Sequence, residues 1–221
     1  MSQKQIIQIH EEAPEPSTSW WAWLLLPLSF ALLLMVAGLG TWPAVGTYHD
    51  QALNGLDALR VLSEGPQFFF PLNNGREGAF IDLLAMVFRC FGVGLWQLRL
   101  PSVIFGILGI LGIAVMSRRL FGGRAGLVAA WLAAASPGYI MVARSGFRAS
   151  MVPALACLAV VALLSAEDRP TLGRWALAGA AAGLGFHSYT AWTAIFAGFA
   201  VWLAFRAARK DVPWSRFVAW V

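Results

Sequence analysis

Residues 20–45 carry no charged side chain. A run of that length reaches across a hydrocarbon core of ~30 Å at ~1.5 Å per residue. In lipid there is no water to satisfy peptide groups, so the run must close its hydrogen bonds on itself as a helix. Trp20, Trp21 and Trp23 mark one end and Trp42 the other, the usual depth for interfacial tryptophans. Uncharged apolar runs recur at residues 100–116, 125–143, 150–164, 175–186 and 191–205. Only 12% of the 221 residues are charged and 59% are apolar, against about 25% charged in soluble domains. The expected fold class is therefore all-α, a polytopic membrane helical bundle.

The charges give that bundle a direction. Residues 1–19 are polar, with Glu11, Glu12 and Glu15 among them, and read as a disordered cytoplasmic tail. The run after them is too long for a signal-peptide core and follows an acidic stretch, so it is expected to stay as a helix. Arg118, Arg119 and Arg124 form a short basic loop, and "RAARK" at residues 206–210 forms another. Short basic loops remain in the cytoplasm. Residues 46–99 then form an external loop, and the later runs alternate in direction. The run at 79–91 is interrupted by Asp82 and Arg89 and stays outside, because a crossing there would export the basic loop. Six arginines, Arg60, Arg76, Arg89, Arg99, Arg144 and Arg148, nonetheless fall on the outer side. The run at 175–186 is short, at ~18 Å, and its "AGAAAGLG" is suited to close helix packing.

Amphipathic juxtamembrane helices are expected in the external loop. In residues 50–63, Leu53, Leu56, Leu59 and Leu62 make an apolar stripe. Gln51, Asn54, Asp57 and Arg60 make a polar one, and Gly55 and Ala58 a slim third face. Such a helix lies on a surface or against other helices. "SEGPQFFFPLNNGREG" reads as a loop.

The net charge of +5 does not imply nucleic acid, because no basic patch with interleaved aromatics is present. Cys90 and Cys157 lie far apart in apolar segments, read as small core residues, and no Cys/His spacing suggests a metal.

What hydropathy leaves unexplained gathers on the outer face: His49 and Asp50, Arg76 and Glu77, Arg144 and Arg148, His187 with Tyr189. An acid able to take a proton, several cations and a second carboxylate fit a phosphate-bearing lipid and a nucleophile that loses a proton. Each residue also has a plainer reading. Asp50 caps a helix beginning at Gln51, Glu77 is a first-turn acid, Arg144 and Arg148 snorkel to headgroups, His187 and Tyr189 sit at the interface, and Arg76 is a solvated loop residue.

The order of "YHDQALNGLDALRVL", "FFFPLNNGREGAFIDLLAMVFRCFG", "LRLPSVIFG", "SRRLFGGRAG", "ARSGFRASMVPAL" and "GLGFHSYTAW" resembles GT-C type membrane glycosyltransferases. It is similar to the bacterial relatives of protein O-mannosyltransferases and the lipid A aminoarabinose transferase, over about residues 20–206. The resemblance implies a polyprenyl-phosphate sugar donor, an extracytoplasmic acceptor and a bacterial inner-membrane location. Asp50 matches the family's catalytic base in the first loop, though Gln51 stands where a second acid is common. Glu77 matches an acid that helps to form the donor or a divalent-metal site, with Gly78 in place of the usual Pro. Arg144 matches an arginine that meets the lipid phosphate, with Arg148, His187 and Tyr189 as further donor-phosphate candidates. An acid often found a few residues later has no counterpart in "GFRAS". Residues 20–210 are then the N-terminal part of a GT-C domain. Residues 211–221 are the start of a further, truncated span, and the fragment alone is expected to be inactive. The alternatives are half of a transporter or lipid flippase, or a non-catalytic membrane subunit.

Overall fold

The computed structural model describes residues 18–40, 48–71 and 75–221. Most of the tail, Trp42 and the end of the first span lie outside these residues. The described residues are helical almost throughout. Helix α1 spans Thr18–Val36, α2 Tyr48–Glu64, α3 Gly78–Phe91, α4 Leu95–Phe121, α5 Gly123–Ala134 and α6 Pro137–Ala143. Next come α7 at Met151–Asp168, α8 at Leu172–Gly183, α9 at Trp192–Ala208 and α10 at Trp214–Trp220. Short 3-10 turns at Arg148–Ser150 and Leu184–His187 precede α7 and follow α8. Among the described residues, three helical stretches are long and apolar enough to cross a membrane, or four if α5 and α6 count as one bent span.

The expected run at residues 125–143 is bent. The α5 and α6 axes differ by 69°. Pro137 has no N–H to continue the ladder, and it drives Ser136 into extended backbone at ψ 115°. The Ser136 hydroxyl then accepts from the Tyr139 N–H and restarts the helix. By contrast Pro101 lies inside the 27-residue α4 without ending it, a tolerance common where neighbouring helices support the backbone. Gly106, Gly109 and Gly112 lie three apart on α4, where a Cβ would strike Ala143, Tyr139 and Cys157. The missing side chains let α6 and α7 approach closely. Cys157 is buried there as expected, whereas Cys90 is exposed near the end of α3.

The bundle has two cores. One joins α1 to α4, α5 and α6 through Leu24, Ala31, Met35, Ile110 and Ala130. The other joins α7, α8, α9 and α10 around Trp175, Trp192, Leu203 and Trp220. The small residues of α8 serve the second core. Gly179 admits the Trp220 backbone, and Gly185, just beyond α8, admits the Trp192 indole, whose Nε1 donates to the Ala182 carbonyl at 2.9 Å.

A third cluster forms where α2 packs on α3 through Ala58, Val61, Ile81, Leu84 and Phe88, with Leu98 of α4 against it. The segment between them is not an open loop. Strand β1 (Phe69–Phe70) pairs antiparallel with β2 (Arg76–Glu77). The hairpin is closed by the Gly78 N–H donating to the Phe68 carbonyl at 2.9 Å. A side chain at Gly78 would collide with the Gln67 carbonyl, so the close approach requires glycine.

Helix α2 forms as expected, and its packing decides which stripe is buried. Leu56, Leu59 and Leu62 are 55%, 40% and 44% exposed, while Gln51, Asn54 and Asp57 are buried beside Ala58. The slim face and the polar face go inward together, because partners for the polar groups wait there.

Candidate functional site

The two ends of the bundle differ in their chemistry. At the basic end, Trp20 Nε1 donates to the Gly123 carbonyl, and the Arg118 guanidinium lies 4.3 Å over the Trp20 ring. Arg119 pairs with Asp168, and Arg206 with Glu167. The start of α1, the α4–α5 junction, the α7–α8 turn and the end of α9 therefore share this end, as the alternation of runs requires.

The opposite end gathers the other group. Arg99 Nη1 donates to the Leu39 carbonyl at 2.6 Å. Arg144 donates to the carbonyls of Leu34 and, at 2.7 Å, Ala37. Cations at a helix C-terminus satisfy orphan carbonyls and oppose its dipole, which accounts for two of the six outward arginines. Both bonds leave Arg144 with N–H groups to spare, since a guanidinium carries five.

Arg148 and Glu77 meet directly in an ion pair, from the 3-10 turn before α7 and from β2. The Glu77 second oxygen accepts from the Thr190 hydroxyl at 3.5 Å. Tyr189 lies beside them, its ring 5.7 Å from the Arg148 guanidinium and edge-on to Phe147 at 5.3 Å. His187 is more peripheral and exposed, with its ring 6.4 Å from Phe68 of the hairpin. Glu77 precedes α3 at the cap position but makes no capping bond with its side chain. Its carboxylate is committed to Arg148 instead.

Asp50 is exposed in the first turn of α2. The helix begins at Tyr48, so Asp50 does not hold the cap position ahead of Gln51. Its charge acts on Arg148, as do those of Glu77 and Arg76. Asp50, Glu77, Arg148 and Tyr189 thus share one electrostatic neighbourhood, while Arg144 is turned toward α1 and His187 toward the hairpin.

Sequence reasoning missed the support behind this cluster. Arg76 is a buried residue, not a solvated one. Its Nη1 reaches Asn54 Oδ1 at 3.2 Å and Asp57 Oδ2 at 3.4 Å. Asn54 Nδ2 donates in turn to the Gly146 carbonyl at 3.2 Å. The spacing of Asp50, Asn54 and Asp57, four and three residues apart on a helix, was the available signal, since it sets all three on one face. Thr190 offered none beyond adjacency to Tyr189. Asp82 lines a groove between α2 and α3 with Arg89, away from this cluster. Burial pushes its carboxyl up, against the hydrogen bond it accepts from the Gln67 N–H.

Among the described residues no three His, Cys, Asp or Glu side chains converge, and the Glu77 carboxylate is already shared between Arg148 and Thr190.

The model of one family, described as dolichyl-phosphate-mannose-protein mannosyltransferase, matches residues 80–221. The match includes Arg144, Arg148, His187 and Tyr189 and starts just after Glu77. No curated protein matches the chain. The matched part is 142 of the 221 residues and holds α4, α7 and the bent α5–α6 pair. The chain belongs to this mannosyltransferase family and is an integral membrane glycosyltransferase of the GT-C type.

Proposed function

We infer that the protein moves a sugar from a polyprenyl-phosphate donor to an acceptor outside the cytoplasm, with inversion at the anomeric carbon. The bacterial inner membrane is its expected location, with the site on the external face. The observation that carries this reading is the Glu77–Arg148 pair at the end of the bundle, with Asp50 in its field. Membership of a lipid-linked mannosyltransferase family favours it over a transporter or a passive subunit.

The chemistry follows from charge. An acceptor hydroxyl or amine attacks the anomeric carbon, and Asp50 takes its proton. The bond from that carbon to the phosphate oxygen breaks, and polyprenyl phosphate departs as an anion. An anionic leaving group needs a cation rather than a general acid. Arg148 is held ready by Glu77, with the Tyr189 ring against its guanidinium. Arg144 keeps free N–H groups at the same end and can approach the phosphate with its remaining donors. His187, exposed near the hairpin, is the outermost candidate for the donor headgroup.

Asp50→Asn tests the base. Asn is close in shape but cannot take a proton, so in a full-length protein transfer of labelled mannose from undecaprenyl-phosphate mannose should fall by at least ~10²-fold, with membrane insertion and donor binding unchanged. Wild-type turnover by this variant would remove Asp50 from the mechanism.

A further inference from the structure

The buried polar side chains behind the site are arranged around one residue, Asn54. Asn54, Asp57 and Arg76 are 0%, 1% and 3% exposed. Through Arg76, Asn54 is bonded to the strand residue next to Glu77. Through the Gly146 carbonyl it is bonded to the turn two residues before Arg148. Both members of the Glu77–Arg148 pair are thus tied to a single side chain of α2, one helical turn from Asp50. Successive strand residues point to opposite sides, so Arg76 can face α2 while Glu77 faces Arg148.

Burying charge is expensive. A well-packed apolar trio of similar volume is often as stable as a buried ion pair. Directional bonds fix a register that apolar contacts leave loose. Gly146 points the same way. It has φ +65°, a conformation that favours glycine, and a Cβ there would press on the Leu98 carbonyl and on Gln51. The turn is therefore drawn tight against α2, at the residue whose carbonyl Asn54 holds.

We propose that Asn54, Arg76 and Asp57 form a positioning clamp that sets the distance between Asp50 on α2 and the Glu77–Arg148 pair. None of the three touches the reacting atoms, and their role is to hold base and cation in one geometry. The proposal rests on the glycosyltransfer reading of Asp50 and Arg148.

The test uses the intact protein in membranes that supply endogenous acceptor, with undecaprenyl-phosphate mannose labelled in the sugar as donor. Turnover is measured per folded protein, as judged by the monodisperse fraction in detergent. Displacement of a reacting group by ~1 Å can cost ~10²-fold. Arg76→Lys and Asn54→Leu should therefore each lower turnover at saturating donor by about 10- to 100-fold, with the donor KM within about threefold. The double variant should fall little further, because the residues act as one unit. Asp57→Asn, which keeps the shape and one hydrogen bond to Arg76, is the milder variant should Arg76→Lys fail to fold, and about a fivefold loss is expected. Arg76→Lys, which retains the charge, should recover part of the turnover lost in Arg76→Met.

A loss of folded protein with unchanged turnover per folded molecule would overturn the clamp and leave a structural role. A rise in donor KM with turnover intact would overturn it as well. If Asp50→Asn abolishes transfer while the clamp variants turn over normally, the clamp alone is wrong. If Asp50→Asn is fully active, there is no base to position and the clamp falls with the reading beneath it.

Discussion

The two ends of the bundle hold the same kind of ion pair in different surroundings. At the basic end, Arg119 and Asp168 are 29% and 62% exposed in their pair. At the site end, Arg76 and Asp57 are 3% and 1% exposed. Water screens the first pair and competes for both partners, so such contacts contribute roughly 0–1 kcal/mol. The second pair has lost its hydration, and each member depends on the other. The basic end is thus held by α4, α7 and the apolar core, with charges added at the surface. The site end depends on its charges for its shape.

The largest contrast to test is sidedness. Single cysteines at Gly65 and at Gly122, in a background lacking Cys90 and Cys157, should differ in labelling by an impermeant maleimide on intact cells. The 65 position should react and the 122 position should not. Equal external labelling of both would break the assignment of the two ends to opposite sides of the membrane.

Stability comes next. Arg76→Met leaves Asp57 buried with one exposed partner, Arg60, and should cost ~3–5 kcal/mol. Thermal unfolding in detergent would reveal it, and a loss no greater than that of Arg119→Ala would erase the difference between the ends.

A smaller effect is expected at the Gly146 turn of the site end. Gly146→Ala forces a side chain into the left-handed region, at roughly 1–2 kcal/mol, with further crowding against the Leu98 carbonyl. Gly138→Ala, where a Cβ meets nothing within 4 Å, is the control and should not destabilise.

The smallest effect belongs to the basic end itself. Arg119→Ala should change stability by no more than about 1 kcal/mol, and that change should shrink in added salt. A larger loss, unaffected by salt, would mean that the Arg119 bonds to Ser165 and the Val161 carbonyl matter more than its charge.

Most of the fold was legible because bilayer-scale hydropathy is a local property. The uncharged runs at 20–45, 100–116 and 150–164 each contain the core of an apolar helix. The arginines at the α4–α5 junction mark one end, and Trp20 lies at that end as expected. The bend after α5 was legible too, in Ser136 and Pro137, but a count of apolar residues overlooks a proline whose effect is on backbone geometry. The candidate site was legible as residue types. Asp50, Glu77 and Arg148 stood out because ionisable groups beside apolar runs need a reason.

Partnership was not legible. Arg144 and Arg148 are one helical turn apart in sequence, yet one is spent on the carbonyls of α1 and the other on Glu77. Arg76 and Glu77 are neighbours that face opposite partners. Helix α2 is the clearest case. Its sequence determined an amphipathic helix, since periodicity depends only on residues three and four apart. Which face went inward was decided by contacts 19 to 92 residues distant, from Asp57 to Arg76 and from Asn54 to Gly146. A polar face is buried when the tertiary structure brings bonding partners to it, and no local pattern encodes where those partners will be.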